Sequence, residues 1–581
     1  MCGIYGITKR DREFVGKYIK ICEHRGPDGH DIWNDDYVTL GHNLLSITDQ
    51  PTVSRQPWRT ERGNILIYNG EIFNYFDLIK KYTEFKPKTT CDTELLAWGL
   101  DHYGEKFVEQ IDSMHAFAYY NTQTKQLILS RDHAGIKPLY YAETAEGLIF
   151  GSEIKGMLDR VPNSRKIDQL AISCMSLTGI NATRNTFFTN VKQLMPGETI
   201  VYDCTNKRIK SSERIYITPR SNSSFDPAEF RDRVRKTVQM CSIGRRQMGV
   251  FLSGGLDSSV VAYEMMKIHG AVNTFTNRIN PNVITKNHKT GQIEEDYSSD
   301  ADAAKILAEQ EKFNHTEVII TPNDVIAAWD ESIYFMEQPV YNPSMSMYYH
   351  TNRKLSEAGT IITMAGDMGD EILGGYPKYW KMKDEKFNSW SSIIDKWLQR
   401  IKRPLVVGVP TLSASVLREE LIKLYPDTLW NPADPVASYM ALDCVAQAPN
   451  EFFSRNDKYG MAFGMEGRFP LTTKMFMQYC LDIPTSYKIG KNKHETKLLT
   501  KIAYKGLLPD AIINKQKTGW TVPIGQWLAQ GTNKELNNFY LDSMGEKSIL
   551  DKVSVSQKAG KALVPGWVMK DWIKRYEMYE N

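Results

Sequence analysis

A cysteine stands directly behind the initiator methionine in "MCGIYGI". With Met1 removed, Cys2 would carry a thiol and a free α-amine on one residue, and a nucleophile beside its own base is equipped for acyl transfer. Taken alone, Cys2 reads more simply as a small residue opening a strand. A second chemistry-bearing group lies in "FLSGGLDSSV", 251–260. Gly254 and Gly255 let the backbone turn tightly and approach a ligand closely. Ser253, Ser258 and the loop amides offer donors, and the helix that follows directs its positive end to the same place. These residues describe a phosphate cradle at the carboxyl end of a strand, where open α/β sheets bind ligands. Asp257 sets an acid at its mouth. "GDMGDEILGGY", 366–376, supplies a second acidic cluster, with Asp370 the partner of Asp257 across the crevice for a Mg²⁺ held by carboxylates and phosphate oxygens. By itself that cluster is equally well a solvated turn. The common NTPase loop does not occur: Gly-Lys is present at 16–17, 490–491 and 560–561, never before Ser or Thr.

Elements able to position these residues are visible in the hydrophobic pattern. Up to about residue 205 the chain shows short strand signals, "NILIY" 64–68, "HAFAYYN" 115–121, "QLILS" 126–130 and "GLIFGSE" 147–153, with a helical pattern at "CDTELLAWGLDHYG" 91–104. This predicts an α+β domain with substantial antiparallel sheet. The polar, Ser-rich stretch 211–227 reads as a boundary. Asp226, Pro227 and Glu229 then form a helix start, with Phe230, Val234, Val238 and Cys241 on one apolar face. Buried strands are predicted at 248–252, 273–277, 316–321 and 360–365, alternating with helices as in a parallel α/β sheet, and the pattern beyond about 390 is mostly helical.

Composition narrows the function classes. A chain of 581 residues exceeds one ordinary core, so at least two domains are expected. A net charge of +3 gives no polyelectrolyte basis for nucleic-acid or membrane binding. No apolar run approaches the ~20 residues that span a bilayer, and no signal-peptide pattern opens the chain. Eight cysteines without a C-x-x-C argue against a disulfide scaffold or zinc ribbon. The reading is cytoplasmic, with small-molecule substrates and the homodimer question open.

The S-G-G-x-D-S loop resembles that of N-type ATP pyrophosphatases, which cleave ATP to AMP and pyrophosphate while adenylating a substrate. With "MCGIYGI", "HRGPDG" 24–29, "YNGEIFNY" 68–75, "CDTELL" 91–96, "RDHAGIKPLYY" 131–141, "GDEILGGY" 369–376, "NDKYGMAFGMEGRFP" 456–470, "KLLTKIAYKGLLPDAI" 497–512 and "KQKTGWTVPIGQWL" 515–528, the chain resembles the glutamine-hydrolysing asparagine synthetases over its whole length. The resemblance implies α+β followed by α/β: an N-terminal Ntn-hydrolase αββα sandwich over 2–210, a linker at 211–226, and an α/β ATP-pyrophosphatase-type synthetase domain over 227–581 with a helical C-terminal part. It implies that ammonia passes between the domains through an internal tunnel. It makes Cys2 the nucleophile on the glutamine amide, assigns the oxyanion to the Asn69 side chain and the Gly70 backbone, and gives the glutamine α-amino group to Glu71 and Asp92. Capping of the following helix is the plain alternative for Asp92. In the second domain it places Leu252, Ser253, Gly254, Gly255, Asp257, Ser258, Asn277, Ala365 and Gly366 about ATP, Asp257 and Asp370 on Mg²⁺, and Lys517 on the developing phosphate charge. Glu466 and Arg468 fall near that site or form a structural ion pair.

Three departures from the family pattern stand out. In "HNLLS", 42–46, Leu44 replaces the arginine that binds the glutamine α-carboxylate, a loss of ~2–5 kcal/mol if the carboxylate stays unpaired. Arg55 is the candidate replacement from the same loop. The adenylation loop carries Asp367 where the family has a catalytic glutamate. "RFPLTT" 468–473 replaces R-x-P-F-L-D, leaving Thr472 or Thr473 to cap the next helix. The expected activity is ATP-dependent amidation of aspartate with glutamine nitrogen. The alternatives are another acceptor carboxylate, an intramolecular ligase resembling β-lactam synthetase, and a non-enzymatic scaffold.

Overall fold

A computed structural model of the chain describes residues 2–286, 293–339, 344–401, 411–515, 522–529 and 568–579. The N-terminal half contains two six-stranded sheets. One runs Lys192–Gln193, Tyr140–Thr144, Gly147–Gly151, Gly3–Ile7, Thr39–Leu44, Gly29–Asn34. The other runs Arg208–Arg214, Glu198–Asp203, Gln126–Arg131, Ser113–Asn121, Ile65–Ile72, Trp58–Arg59. All the paired neighbours are antiparallel. Strand Ile65–Ile72 shows why the layers stack as they do. Its alternating side chains Ile65 and Ile67 enter the core between the sheets, with Ile4, Leu40 and Phe150. Leu66 and Tyr68 face the other way, onto Leu95, Leu96 and Leu100 of helix Asp92–Tyr103. Both faces are covered, so the strand reads as one apolar run. Helix Arg12–Ile21 covers the first sheet through Val15, Tyr18 and Ile19. The order is helix, sheet, sheet, helix, as the family resemblance implies.

The second sheet does not stop at 210. Strand Arg208–Arg214 pairs with Glu198–Asp203 along its length, so the linker expected at 211–226 begins inside a strand. This is an edge strand whose residues are largely exposed, and an exposed edge takes the polar composition of a connecting segment.

The C-terminal half holds a five-stranded parallel sheet in the order Asn314–Ile320, Asn273–Ile279, Met248–Phe251, Ile362–Met364, Glu466–Arg468. The last strand was not anticipated. With three residues inside an otherwise helical region it carries too little pattern. Successive connections leave Met248–Phe251 toward opposite edges, which opens a crevice at its carboxyl end. Helix Pro227–Cys241 begins as predicted: Asp226 accepts from the Glu229 N–H and the buried face is Phe230, Val234, Val238 and Cys241. No helix among the described residues is long and apolar enough to cross a membrane.

The halves share a polar seam. Arg25 donates to Asp457 at 2.9 Å and to Glu153 at 3.0 Å. Lys458 and the backbone N–H groups of Ile154 and Lys155 meet Glu337. Neither Thr472 nor Thr473 caps helix Lys474–Asp482 with its side chain. Asp112 of the first domain accepts from the Lys474 and Met475 N–H groups instead, at 2.8 and 3.3 Å.

Candidate active sites

The first site is set where Cys2 enters strand Gly3–Ile7. Cys2 is buried, and its backbone nitrogen donates to Asn69 Oδ1 at 3.0 Å. Asn69 is held on strand Ile65–Ile72, and its Nδ2 is buried with no hydrogen-bond partner. An orphaned buried donor beside a thiol is what an oxyanion would satisfy. Gly70 follows, and a Cβ there would stand 2.3 Å from the Met114 carbonyl oxygen, so the close approach of two strands requires glycine. Burial pushes the Cys2 thiol up from its ordinary range, and its Sγ lies 3.9 Å from the Leu45 carbonyl oxygen that accepts from it. A buried thiol needs a neighbouring base to become a nucleophile.

Glu71 and Asp92 line the same pocket. Asp92 Oδ2 accepts from Tyr68 Oη and the Ile72 N–H, both at 2.9 Å, so its carboxylate reaches inward to the sheet. The adjoining N-cap residue, Cys91, makes no side-chain cap. Burial raises the Asp92 carboxyl to about 6. A third acid arrives from the other half of the chain: Glu466 lines this pocket, not the crevice of its own sheet. Arg468 joins it to the first domain, donating to Glu466 at 2.6 Å and to Glu71 at 3.2 Å. Burial penalises the Glu466 carboxylate, yet the positive charge around it, Arg468 included, holds its carboxyl at about 2. Leu44 is buried in the pocket wall. Arg55 does not replace the missing arginine: its side chain is 71% exposed and its partner is Asp31, 3.6 Å away on the surface. Sequence proximity suggested Arg55, but the loop turns it outward.

The second site is a cavity of about 420 Å³ at the carboxyl end of the parallel sheet. Ser253, Gly255, Asp257 and Ser258 form one wall. The Ser253 N–H donates to Ser258 Oγ at 3.1 Å, and the two hydroxyls lie 2.9 Å apart, which pins the loop ahead of helix Leu256–His269. Gly254, at φ 68°, is required twice over: a side chain would be strained, and its Cβ would stand 2.1 Å from the Asp300 carbonyl oxygen. Ala365 and Gly366 bring the second loop against the first, and Asp367 and Asp370 face the cavity from it. Burial raises Asp367 to about 6, although Arg455 opposes the shift. Arg455 lies 3.9 Å over the Tyr348 ring on the same wall. Leu252 and Asn277 are not among the residues lining the cavity. The Leu252 N–H is spent on the Phe275 carbonyl, and Asn277 Oδ1 accepts from Thr351 Oγ1 at 3.0 Å.

Sequence reasoning passed over two residues here, Arg455 and Lys497. Lys497 bonds Asp257 and reaches Asp370 at 2.6 Å, bridging both acids. Its ammonium stands between two carboxylates, so the pair is spaced to share one cation, which fits a Mg²⁺ bound mainly by phosphates and one or two carboxylates. Burial works against the Lys497 charge, but Asp257 and Asp370 outweigh it and raise its pKa above the usual lysine range. Lys497 opens the stretch "KLLTKIAYKGLLPDAI", so its neighbourhood was in view but its direction was not. Met368 and Lys497 are both non-glycine residues in left-handed backbone, at φ 78° and 54°, and strain of this kind gathers at ligand sites. Lys517 lies outside the described residues.

Each half of the chain matches a known family model. Residues 229–570 match the asparagine synthase family model, more than half of the chain, and residues 1–215 match a glutamine amidotransferase domain. The chain is 24% identical over 602 residues to glutamine-hydrolyzing asparagine synthetase 1 of Bacillus subtilis strain 168, covering 94% of this chain and 91% of the relative. It is 24% identical over 592 residues to synthetase 3 of the same organism, covering 95% and 93%. It is 27% identical over 563 residues to synthetase 2 of Oryza sativa subsp. japonica, covering 94% and 81%.

Proposed function

The chain belongs to the asparagine synthase family, and from that premise we propose that it converts aspartate to asparagine, with glutamine as nitrogen donor and ATP cleaved to AMP and pyrophosphate. The observation that carries this reading is the joining of two unlike sites by one residue: Arg468 pairs Glu71 and Glu466 at the Cys2 pocket, on a strand of the sheet that carries the phosphate cradle.

In the first site, removal of Met1 turns the Cys2 nitrogen, bonded to Asn69, into the free amine that takes the thiol proton. The thiolate adds to the glutamine γ-carbonyl, and Asn69 Nδ2 meets the oxyanion, a donor worth ~3 kcal/mol in the transition state. Glu71 and Asp92 hold the substrate ammonium. In the second site, the loop 253–255 and the first turn of the helix it enters receive the phosphates. Asp257 and Asp370 would hold Mg²⁺, which neutralises phosphate charge when bound. Lys497 presents a cation to the α-phosphate as the acceptor carboxylate attacks it, and Asp367 and Arg455 orient the acceptor. Ammonia from the first site then displaces AMP from the acyl adenylate. The eight cysteines, all buried and none paired, suit a reducing cytoplasm.

The test is incubation with ATP, Mg²⁺, aspartate and amide-¹⁵N glutamine. Labelled asparagine with stoichiometric AMP is the expected outcome. Labelled ammonia without asparagine would reject aspartate as the acceptor.

A further inference from the structure

Acidic side chains line the Cys2 pocket. Glu71, Asp92 and Glu466 line it, and among the described residues no lysine, arginine or histidine does. Arg468 lies behind the acids, divided between Glu71, Glu466 and the carbonyls of Cys241 and Ile243. Leu44, Leu45 and Ile47 make the apolar part of the wall. Two polar side chains differ in what they have left to offer. Gln56 is spent, its amide oxygen and nitrogen both bonded to the backbone of Tyr68. Ser54, 6% exposed, has a buried hydroxyl with no hydrogen-bond partner.

These residues treat the two ends of a glutamine differently. An α-ammonium meets three acidic side chains. A free α-carboxylate would be desolvated beside these acids with no basic side chain lining the pocket to receive it, which is strongly unfavourable. An uncharged carbonyl asks only for one donor, and an orphaned buried hydroxyl gains by supplying it. Resting on the glutaminase reading above, we propose that the Cys2 pocket takes its nitrogen from a glutamine whose α-amine is free and whose α-carboxyl is amidated, as at the amino terminus of a peptide, in preference to free glutamine. The bond changes are those of amide hydrolysis. Sγ bonds to the side-chain carbonyl carbon, Cδ, the Cδ–N bond breaks, and the thiol proton leaves with the nitrogen as ammonia. Water then cleaves the thioester to a γ-carboxylate and restores the thiol.

The experiment compares γ-¹⁵N-labelled glutamine, glutaminamide and glutaminylglycine as donors to the full-length protein. Labelled ammonia is read against a Cys2→Ala control that subtracts spontaneous cyclisation. We expect kcat/KM about tenfold higher for the two amidated donors, and a preference reversed toward free glutamine by Leu44→Arg. Ser54→Ala should lower use of the amidated donors by about tenfold. Free glutamine preferred by the unsubstituted protein overturns the inference whatever the variants do, and so does a donor ratio that a folded Leu44→Arg leaves unmoved. If no donor releases ammonia while ammonium still supports amidation, the glutaminase reading fails and this inference with it.

Discussion

Asn69 and Glu71 stand on a strand of an antiparallel sandwich and Cys2 at the start of another, whereas Ser253 and Asp367 stand on loops that leave the carboxyl ends of a parallel sheet, with Asp257 and Asp370 in the first turns of the helices those loops enter. The difference shows in what each site can tolerate. On the strands the pleat fixes every side-chain direction, so the pocket is tight and its charges are buried. Such charges need a partner, and Arg468 comes from the other domain to provide it. On the loops the backbone bends through left-handed positions at Gly254, Met368 and Lys497, and the cavity is wide enough for a nucleotide. There Lys497 bridges two acids that a ligand's own cations can later claim. The first site is preorganised for a small amide and the second is poised for exchange of charge.

Substitutions can separate the two sites or bind them together. Cys2→Ala should cut glutamine-dependent amidation by ~10⁴-fold or more and leave ammonium-dependent amidation within about twofold. Rates with the two nitrogen sources check this, and loss of both would refute the independence of the sites. Lys497→Ala is the mirror experiment. Pyrophosphate release should fall by ~10²–10³-fold, while ammonia release from the donor continues at its original rate. Arg468→Met belongs to neither site alone. It leaves Glu71 and Glu466 buried without their cation, so unfolding in urea should show a loss of ~3 kcal/mol or more, with donor hydrolysis falling as well. A loss under ~1 kcal/mol would mean that the seam carries no such charge dependence.

The smallest effect has the opposite sign. Asp92, held at about 6 by burial, is charged at pH 8 at a cost to the fold. Its folded pKa is raised, so stability relative to the protonated state is lost as pH rises through about 6. Asp92→Asn should therefore stabilise the unliganded protein at pH 8 by on the order of 2 kcal/mol. The gain should shrink between pH 6 and pH 4 and vanish below. Melting curves across that range, with donor hydrolysis abolished at every pH, would show stability and function opposed at one residue.

Local chemistry made much of this molecule legible. Strand and helix periods located the principal elements of both domains, and the Asp226 cap placed the first helix of the second to the residue. The S-G-G-L-D-S loop announced its own bend, because glycine at a crowded left-handed position and paired serines are local requirements. Edge strand Arg208–Arg214 and the three-residue strand Glu466–Arg468 were missed for the converse reason: one is exposed and the other too short, so neither imprints a buried period on its sequence.

The sequence by itself determined which residues could react: a cysteine at position 2, an asparagine and glycine after an apolar strand pattern, and a phosphate loop with acids at its mouth. Only the tertiary structure decided which charges meet. Lys497 reaches Asp257 across 240 positions, Arg468 reaches Glu71 across 397, and Arg55, close in sequence to the Cys2 pocket, points away from it. Backbone propensity and hydrophobic period act over a few residues, whereas the partner of a buried charge is chosen by the packing of whole domains.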